Sequence, residues 1–174
     1  MKRLDTIQFI LTGGTIDSYY KGEIDTAVPN KHSVIPNYLK GLKLYLNLEF
    51  TEICMKDSRS LTKQDLKRIC KEIERSPCKN IIITHGTYTM PDTARYLKAN
   101  LKRKDQKIIL TGSMIPLKGF EFTDAPFNLG YSIGNLKNID NGIYLCMNGT
   151  IFTPEEVAKN LSEGRFYSVF KEKQ

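Results

Sequence analysis

The chain has 174 residues, of which 40% are hydrophobic and 26% are charged. This length and balance are typical of one folded domain with its own core, and they exclude a disordered, collagen-like or coiled-coil protein. We therefore expect a single domain over residues 1–174. The net charge of +7 comes from basic residues scattered along the chain. This scatter favours a solvated surface over a nucleic-acid site and allows small anions as ligands.

Three features predict the location of the protein. The apolar stretches are far shorter than the ~20 residues that a membrane-spanning helix needs, so we expect no membrane contact. The N-terminus is charged and then strand-like, unlike a secretory signal. The cysteines lack the spacing and the neighbouring histidine pairs typical of metal sites. We therefore predict buried, unpaired thiols, no metal and a cytoplasmic location. These cysteines are Cys54, Cys70, Cys78 and Cys146.

Apolar runs of strand type alternate with segments of helical periodicity along the chain. This order predicts a parallel sheet that helices cover on both sides. Five strands are predicted, over residues 6–11, 50–55, 80–84, 107–111 and 142–147. The fold class is therefore α/β, with three α-β-α layers and a mostly parallel sheet.

Helix starts between these strands carry recognisable caps. Thr62 and Asp65 have the spacing of a capping box, and a helical apolar stripe follows them. Thr89 precedes a second helix, and Asp124 is expected to cap a third helix that runs to about residue 137.

Two further segments are harder to assign. The pattern Thr153-Pro154-Glu155-Glu156 combines a cap, a first-turn proline and an acidic third position, so we predict a short helix that carries Lys159. Residues 17–40 are polar and interrupted by glycine and proline. They are interpreted as a mobile loop followed by a short helix.

Ligands of open α/β sheets bind beyond the carboxyl ends of the strands. Hydroxyl, glycine and amide residues concentrate at five such places. The turn Thr12-Gly13-Gly14-Thr15 could stabilise an oxyanion through its backbone amides, or it could be only a tight turn. It lacks the spacing of the nucleotide-binding glycine motifs, so we predict no nucleotide cofactor. The five segments are residues 12–17, 56–60, 84–89, 111–116 and 148–153.

For several single residues, the sequence allows two alternative roles. His85 could be a general base or a buried hydrogen-bonding group, and His32 is expected on the surface. Arg59 could pair with a carboxylate, whereas Ser58 and its neighbouring hydroxyls could serve only to cap the next helix. Lys159 would ordinarily be a solvated lysine.

Taken together, the strand-end motifs resemble the signatures of the bacterial-type L-asparaginases. The similarity runs in consistent order from about Thr6 to Lys159. It implies the N-terminal catalytic domain of the L-asparaginase fold, which is flavodoxin-like or Rossmann-like. Because the usual member has a second, smaller domain, the chain resembles the short, single-domain form. The motifs are Thr12-Gly13-Gly14-Thr15-Ile16, Lys56-Asp57-Ser58, Ile83-Thr84-His85-Gly86-Thr87-Tyr88-Thr89-Met90, Thr111-Gly112-Ser113-Met114-Ile115-Pro116 and Asp124-Ala125-Pro126-Phe127-Asn128-Leu129.

The resemblance implies catalytic roles for four residues. Thr15 would be the nucleophile, and Thr87 and Lys159 would assist proton transfer and water activation. A tyrosine of the following loop would help to activate the nucleophile, with Tyr20 the first choice and Tyr19 the second. A threonine hydroxyl needs such help because it is a weak nucleophile at neutral pH.

The same resemblance implies the substrate contacts. Ser58 would hold the α-carboxylate of L-asparagine, and the two glycine turns would stabilise the oxyanion. L-Glutamine is the second candidate substrate, no cofactor is implied, and a homodimer or tetramer is expected. The residues assigned to substrate binding are Gly14, Asp57, Ser58, Arg59, Gly86, Tyr88 and Ser113.

One position departs from the family pattern. Tyr88 stands where the family has an aspartate that binds the α-amino group of the substrate. Tyrosine is neutral at pH 7, so the charge-assisted contact is lost. Three hypotheses follow: an asparaginase that is weak or shifted in substrate, an amidase for a substrate without a free α-amino group, and an impaired member that binds a small acidic ligand or a partner.

Overall fold

A six-stranded sheet forms the centre of the structure. A computed structural model describes residues 6–170 of the chain. The strands within these residues, in the central sheet and in two separate hairpins, are β1 (Thr6–Gly13), β2 (Ser18–Lys21), β3 (Thr26–Pro29), β4 (Asn47–Lys56), β5 (Asn80–Thr84), β6 (Lys107–Thr111), β7 (Gly142–Met147), β8 (Thr150–Phe152), β9 (Val157–Asn160) and β10 (Arg165–Ser168). The helices are α1 (Ile35–Gly41), α2 (Lys63–Arg75), α3 (Met90–Asn100) and α4 (Ala125–Asn135).

The order of strands in the sheet locates its ligand-binding edge. The order is β4-β1-β5-β6-β7-β8, in which all neighbours are parallel except β7 and β8. Strand β1 therefore pairs with β4 on one side and with β5 on the other. This reversal between β1 and β5 is a topological switch point, where open α/β sheets bind ligands.

Strand alternation divides the core between the two faces of the sheet. On β5, Ile81 and Ile83 join the apolar cluster that includes residues of α2 and α3, whereas Ile82 joins the cluster that includes residues of α1 and α4. All three side chains are fully buried. Burial on both faces explains the continuous apolar run. The predicted three-layer α-β-α arrangement is confirmed.

The predicted elements mostly have the expected bounds. The strands over 80–84, 107–111 and 142–147 are confirmed, and the first two strands are longer than predicted. The capping box of α2 is present, since Asp65 N donates to Thr62 Oγ1 (3.2 Å) and Thr62 N donates to Asp65 Oδ2 (2.9 Å). Burial raises the pKa of Asp65, but hydrogen bonds from Lys56 and Thr62 outweigh it and lower that pKa to about 2.

Asp124 precedes α4 but does not cap it with its side chain. The carboxylate instead accepts hydrogen bonds from the backbone N–H groups of Met114 and Ile115, each 3.0 Å away. It therefore holds the loop after β6 rather than the helix that follows it. That helix ends at Asn135, two residues before the predicted end.

The expected loop over residues 17–40 is largely ordered as a β-hairpin. Strands β2 and β3 pair antiparallel, from Ser18 with Pro29 to Lys21 with Thr26. The prediction of an irregular loop was wrong because the pairing depends on backbone hydrogen bonds, which leave little trace in a polar sequence. The short helix predicted after it is α1.

Lys159 lies on a strand, so the helix predicted to carry it was wrong. Thr153 N and Oγ1 do reach Glu156 Oε1, at 2.7 and 3.1 Å, but the bonds close a turn and no helix follows. Residues 157–160 pair antiparallel with residues 165–168, and Gly164 between them has a positive φ of 61°. Pairing with a later strand overrides the local helix signal.

The four cysteines are free thiols that differ in burial. Cys78 and Cys146 are buried, and Cys54 and Cys70 are half-buried. Burial raises the pKa of Cys54 and of Cys146 to about 11. Within residues 6–170, no helix is long and apolar enough to cross a membrane, and no group of three or more metal-ligating side chains is found.

Candidate functional site

Two glycine turns touch at the switch point between β1 and β5. Gly14 has a φ of 81°, and a Cβ atom at this position would collide with the backbone nitrogen of Gly86. A Cβ atom on Gly86 would lie 2.7 Å from the Cβ atom of Ser58. Only glycine permits these approaches. Three segments far apart in sequence therefore meet here, and they carry Thr15, Ser58 and Thr87.

Thr15 begins a short 3-10 turn, Thr15–Asp17, immediately after the first glycine turn. The backbone around it is well fixed: Gly14 N donates to the carbonyl of Lys56 (2.8 Å), and Ser18 Oγ donates to the carbonyl of Gly14 (2.8 Å). Thr15 itself is half-buried. Its hydroxyl has no hydrogen-bond partner among residues 6–170 and is available to a ligand.

Asp17 fixes the hairpin region against the turn that carries Thr15. It is fully buried, and its carboxylate accepts hydrogen bonds from Ser33 Oγ (2.6 Å) and Val34 N (2.8 Å). Burial raises the pKa of Asp17, partly offset by these bonds. The sequence pattern did not indicate this role. The available signal was an acidic residue directly after Ile16 in a segment otherwise rich in hydroxyl groups.

Lys159 and Thr87 form a hydrogen-bonded pair. Lys159 Nζ donates to Thr87 Oγ1 at 2.7 Å. Alternation along β9 puts Lys159 on the same face as the buried Val157, so the strand aims the lysine inward. Burial lowers the pKa of Lys159, and the positive charge of Arg59 lowers it further. Both causes favour the neutral amine, which can accept a proton.

The hairpin that carries Lys159 is anchored by side chains that sequence analysis missed. Arg95 Nη2 of α3 donates to the carbonyl of Val157 (2.6 Å), and Phe166 N donates to Asn148 Oδ1 (3.1 Å). Ser168 Oγ donates to Glu156 Oε2 (2.8 Å). These partners lie far apart in the sequence, and no local pattern indicates them. Their positions fix the strand against the central sheet.

Ser58 sits beneath the second glycine turn. It is buried, and its hydroxyl accepts a hydrogen bond from Thr89 N at 3.4 Å. Its carbonyl accepts one from Thr89 Oγ1 at 3.0 Å. Ser58 is thus part of the packing between the turn after β4 and the turn after β5. This position is compatible with both roles considered for Ser58, a structural hydroxyl and a substrate contact.

Arg59 links an acid to an aromatic ring at the edge of the site. Its Nε donates to Asp57 Oδ1 at 2.9 Å and its Nη2 donates to Asp57 Oδ2 at 3.4 Å. These bonds lower the pKa of Asp57. The guanidinium carbon lies 5.6 Å from the centroid of the Tyr88 ring, within the range of a cation–π contact. Tyr88 is 51% exposed, so its ring lies at the rim.

The sequence also matches a known protein family. Residues 6–170 match the family model described as Asparaginase, N-terminal. The chain belongs to the asparaginase family. It is 27% identical over 168 residues to L-asparaginase 2 of Escherichia coli (strain K12), covering 90% of this chain and 47% of that protein. It is 33% identical over 113 residues to a glutaminase-asparaginase of Acinetobacter glutaminasificans, covering 60% and 33%.

Solved structures from this asparaginase family share the fold. The thermostable L-asparaginase from Thermococcus kodakarensis superposes with a TM-score of 0.80 and 26% identity, over 96% of this chain and 52% of that one. The probable cytoplasmic L-asparaginase from Campylobacter jejuni gives 0.81 and 25%, over 94% and 53%. The chain spans about half the length of these relatives.

Of the two roles considered for His85, a general base or a buried hydrogen-bonding group, the structure favours the second. Its ring is fully buried between the Gly86 carbonyl (2.7 Å from Nδ1) and the Thr93 hydroxyl (2.9 Å from Nε2). Burial lowers the pKa of His85 to about 4, so the ring is neutral at pH 7. It orients the turn that carries Thr87. His32 is on the surface, as predicted, beside Glu52.

Two residues implied by the family resemblance are engaged elsewhere. Ser113 is fully buried, and its hydroxyl donates to the carbonyl of Ile115. Tyr20 is exposed, and its hydroxyl donates to Asp25 within the hairpin, which raises the pKa of Tyr20. Tyr19 is 45% exposed on the same strand. The substrate role of Ser113 and the activating role of Tyr20 stay predictions.

Proposed function

We propose that the chain is a threonine-dependent amidohydrolase that converts L-asparagine to L-aspartate and ammonia. The observation that carries this proposal is the bond between Lys159 and Thr87, in a turn that packs against the turn before Thr15. A lysine of lowered pKa that is bonded to one threonine hydroxyl at a switch point, near the turn that carries a second threonine, is suited to acyl transfer. Membership of the asparaginase family and the names of the relatives support the same activity.

The proposed reaction has two steps. The oxygen of the Thr15 hydroxyl attacks the carbon of the side-chain amide, and the C–N bond breaks. Ammonia leaves with the proton that the hydroxyl gave up, and an ester on Thr15 remains. Water then attacks the ester, with Lys159 and Thr87 accepting its proton and returning it to Thr15. The overall balance is one amide and one water to one carboxylic acid and one ammonia.

Backbone N–H groups of the two glycine turns are the proposed oxyanion donors. The N–H of Gly14 is already bound to the carbonyl of Lys56 (2.8 Å), so the donors would be other amides of the two turns. The left-handed backbone at Gly14 and its close approach to Gly86 shape these turns and require glycine. One such donor contributes on the order of 3 kcal/mol to transition-state stabilisation in comparable sites. Gly14 and Gly86 therefore shape the proposed oxyanion site as well as packing against each other.

Tyr20 is proposed to take the proton from Thr15, with Tyr19 as the alternative. Because its hydroxyl bonds to Asp25, Tyr20 must leave that partner when substrate binds. A Tyr20→Phe variant should then lose most of its turnover, and Tyr19→Phe should retain it. The opposite pattern would assign the role to Tyr19.

Ammonia release from purified protein tests the proposed function. L-Asparagine, L-glutamine and buffer alone are compared, with Thr15→Ala as the inactive variant and the exposed Thr26→Ala as its matched control. Turnover by the wild type and Thr26→Ala, but not by Thr15→Ala, supports the proposal. Binding of L-aspartate without any turnover would favour the impaired, ligand-binding alternative. A homodimer or tetramer, a cytoplasmic location and activity of this chain as a single domain are part of the same proposal.

A further inference from the structure

The guanidinium of Arg59 stands next to the proposed catalytic residues. Arg59 follows Ser58 in the chain, and it contacts Tyr88, which follows Thr87. Its charge also lowers the pKa of Lys159. A ligand bound against Ser58 and Thr87 therefore lies near the cationic side chain of Arg59.

Asp57, the acidic residue beside Arg59, is already paired with this arginine. Asp57 accepts three hydrogen bonds from Arg59: one from its backbone N–H (2.9 Å), one from Nε (2.9 Å) and one from Nη2 (3.4 Å). A guanidinium has five N–H groups, and the two on Nη1 have no partner among residues 6–170. Arg59 can thus accept a second anion, whereas the charge of Asp57 is already balanced by Arg59, which weakens its attraction for an ammonium group.

Contact with Tyr88 helps to position the guanidinium of Arg59. Its ring faces the guanidinium at 5.6 Å and offers no negative charge to a ligand. Stacking holds Arg59 at the rim, where a flexible arginine would otherwise sample many conformations. The rim therefore presents a fixed cation and a neutral ring to the incoming substrate.

We infer that Arg59 and Tyr88 select an amide that carries a carboxylate but no ammonium group, such as succinamate, the desamino counterpart of L-asparagine. This inference rests on the proposed function and refines its substrate class. The chemistry is otherwise the same: the amide C–N bond breaks, ammonia leaves, and hydrolysis of the Thr15 ester yields succinate. No oxidant, reductant or second substrate is needed beyond water.

Kinetics with paired substrates test the inference. Ammonia release is measured with succinamate, L-asparagine and N-acetyl-L-asparagine under identical conditions. Loss of a charge-assisted contact, together with repulsion by Arg59, should make kcat/KM for L-asparagine about tenfold to a hundredfold lower than for succinamate. A measured kcat/KM for L-asparagine that equals or exceeds the value for succinamate overturns the inference.

Two substitutions of Tyr88 sharpen this test. Tyr88→Asp supplies a carboxylate for an ammonium group and removes the stacking surface, so the preference for succinamate should fall by about tenfold or more. Tyr88→Phe keeps the ring beneath the guanidinium and should keep the preference. An unchanged preference in Tyr88→Asp, or its loss in Tyr88→Phe, contradicts the assigned role.

Binding of the products separates this inference from the proposed function. Calorimetric titration of the wild type with succinate and with L-aspartate needs no turnover. Tighter binding of succinate supports the selection rule even if every amide proves inert, which would refute the proposed function alone. Tighter binding of L-aspartate, or no binding of either product, overturns the selection rule even if ammonia is released.

Discussion

Lys159 Nζ lies 2.7 Å from Thr87 Oγ1, although 72 positions separate the two residues in the chain. The β9-β10 hairpin supplies the lysine and the glycine turn after β5 supplies the threonine. Neither residue is distinctive alone. Their pairing at the switch point, beside the turn of Thr15, is the feature on which the proposed chemistry depends.

Removal of this lysine should abolish turnover without unfolding the protein. Lys159→Met keeps much of the aliphatic length but cannot accept a proton, so kcat should fall at least about a hundredfold. Lys71→Met, on the exposed face of α2, is the matched control and should retain activity. Ammonia release and thermal melting check both variants. A large fall in melting temperature of Lys159→Met would indicate a structural role for the lysine instead.

The charge of Arg59 should influence the pH dependence of the reaction. Lys159 accepts protons only as a neutral amine, so the rate rises with pH through its pKa. Arg59 lowers that pKa, and Arg59→Gln should therefore move the acid limb of the pH–rate profile to higher pH. Arg68→Gln on α2 serves as the control. A profile that stays in place would mean that Lys159 does not titrate in the rate-limiting step.

The close packing of Gly86 against Ser58 predicts a difference between two glycine substitutions. An alanine at Gly86 would place its Cβ 2.7 Å from Ser58 Cβ and 3.0 Å from the Ser58 backbone nitrogen. We expect Gly86→Ala to destabilise the fold by about 1–3 kcal/mol. Gly130→Ala, with open space around it on α4, should stabilise it by about 0.4–1 kcal/mol. Chemical denaturation measures both, and equal effects would refute the close approach.

His85 should make the protein sensitive to acid. Its pKa falls from 6.5 to about 4 on folding because of burial, so between those pH values only the unfolded state takes up the proton. Stability is therefore lost as pH falls through this range, by on the order of 3 kcal/mol for this group. His85→Gln should lack this component, whereas exposed His32→Gln should retain it. Denaturation at pH 7 and at pH 4 compares them, and parallel losses in both variants would contradict the prediction.

Local signals predicted most of the central fold. Strands β5, β6 and β7 were predicted with their observed bounds because burial on both faces requires continuous apolar runs. The start of α2 was predicted because a capping box and an apolar stripe occur together. Both kinds of signal lie within a dozen residues of the chain.

Long-range pairing explains what the sequence could not indicate. The bond between Thr153 and Glu156 that suggested a helix does form, but it closes a turn because residues 157–160 pair with residues 165–168. The bonds of Asp17 to Ser33 and Val34 likewise depend on how the β2-β3 hairpin folds back. Such contacts join segments whose separation no periodicity records.

The candidate site was predicted as a set of motifs rather than as a geometry. The glycine turns and the strand ends were identified, since ligands of parallel sheets bind there. The stack of Arg59 on Tyr88 and the inward direction of Lys159 were not, because each depends on a tertiary contact. These two features carry the specificity and the proton transfer of the proposed reaction.

The proposed mechanism requires that Thr15 forms an ester with the acyl part of the substrate. Rapid acid quenching of the protein during turnover of L-asparagine or succinamate, followed by peptide mass spectrometry, tests it most directly. We expect an acyl adduct on the peptide that contains Thr15. It should be enriched in Lys159→Met, which slows hydrolysis of the ester, and absent from Thr15→Ala. Ammonia release with the adduct on Thr87, or by Thr15→Ala at the wild-type rate, would contradict it.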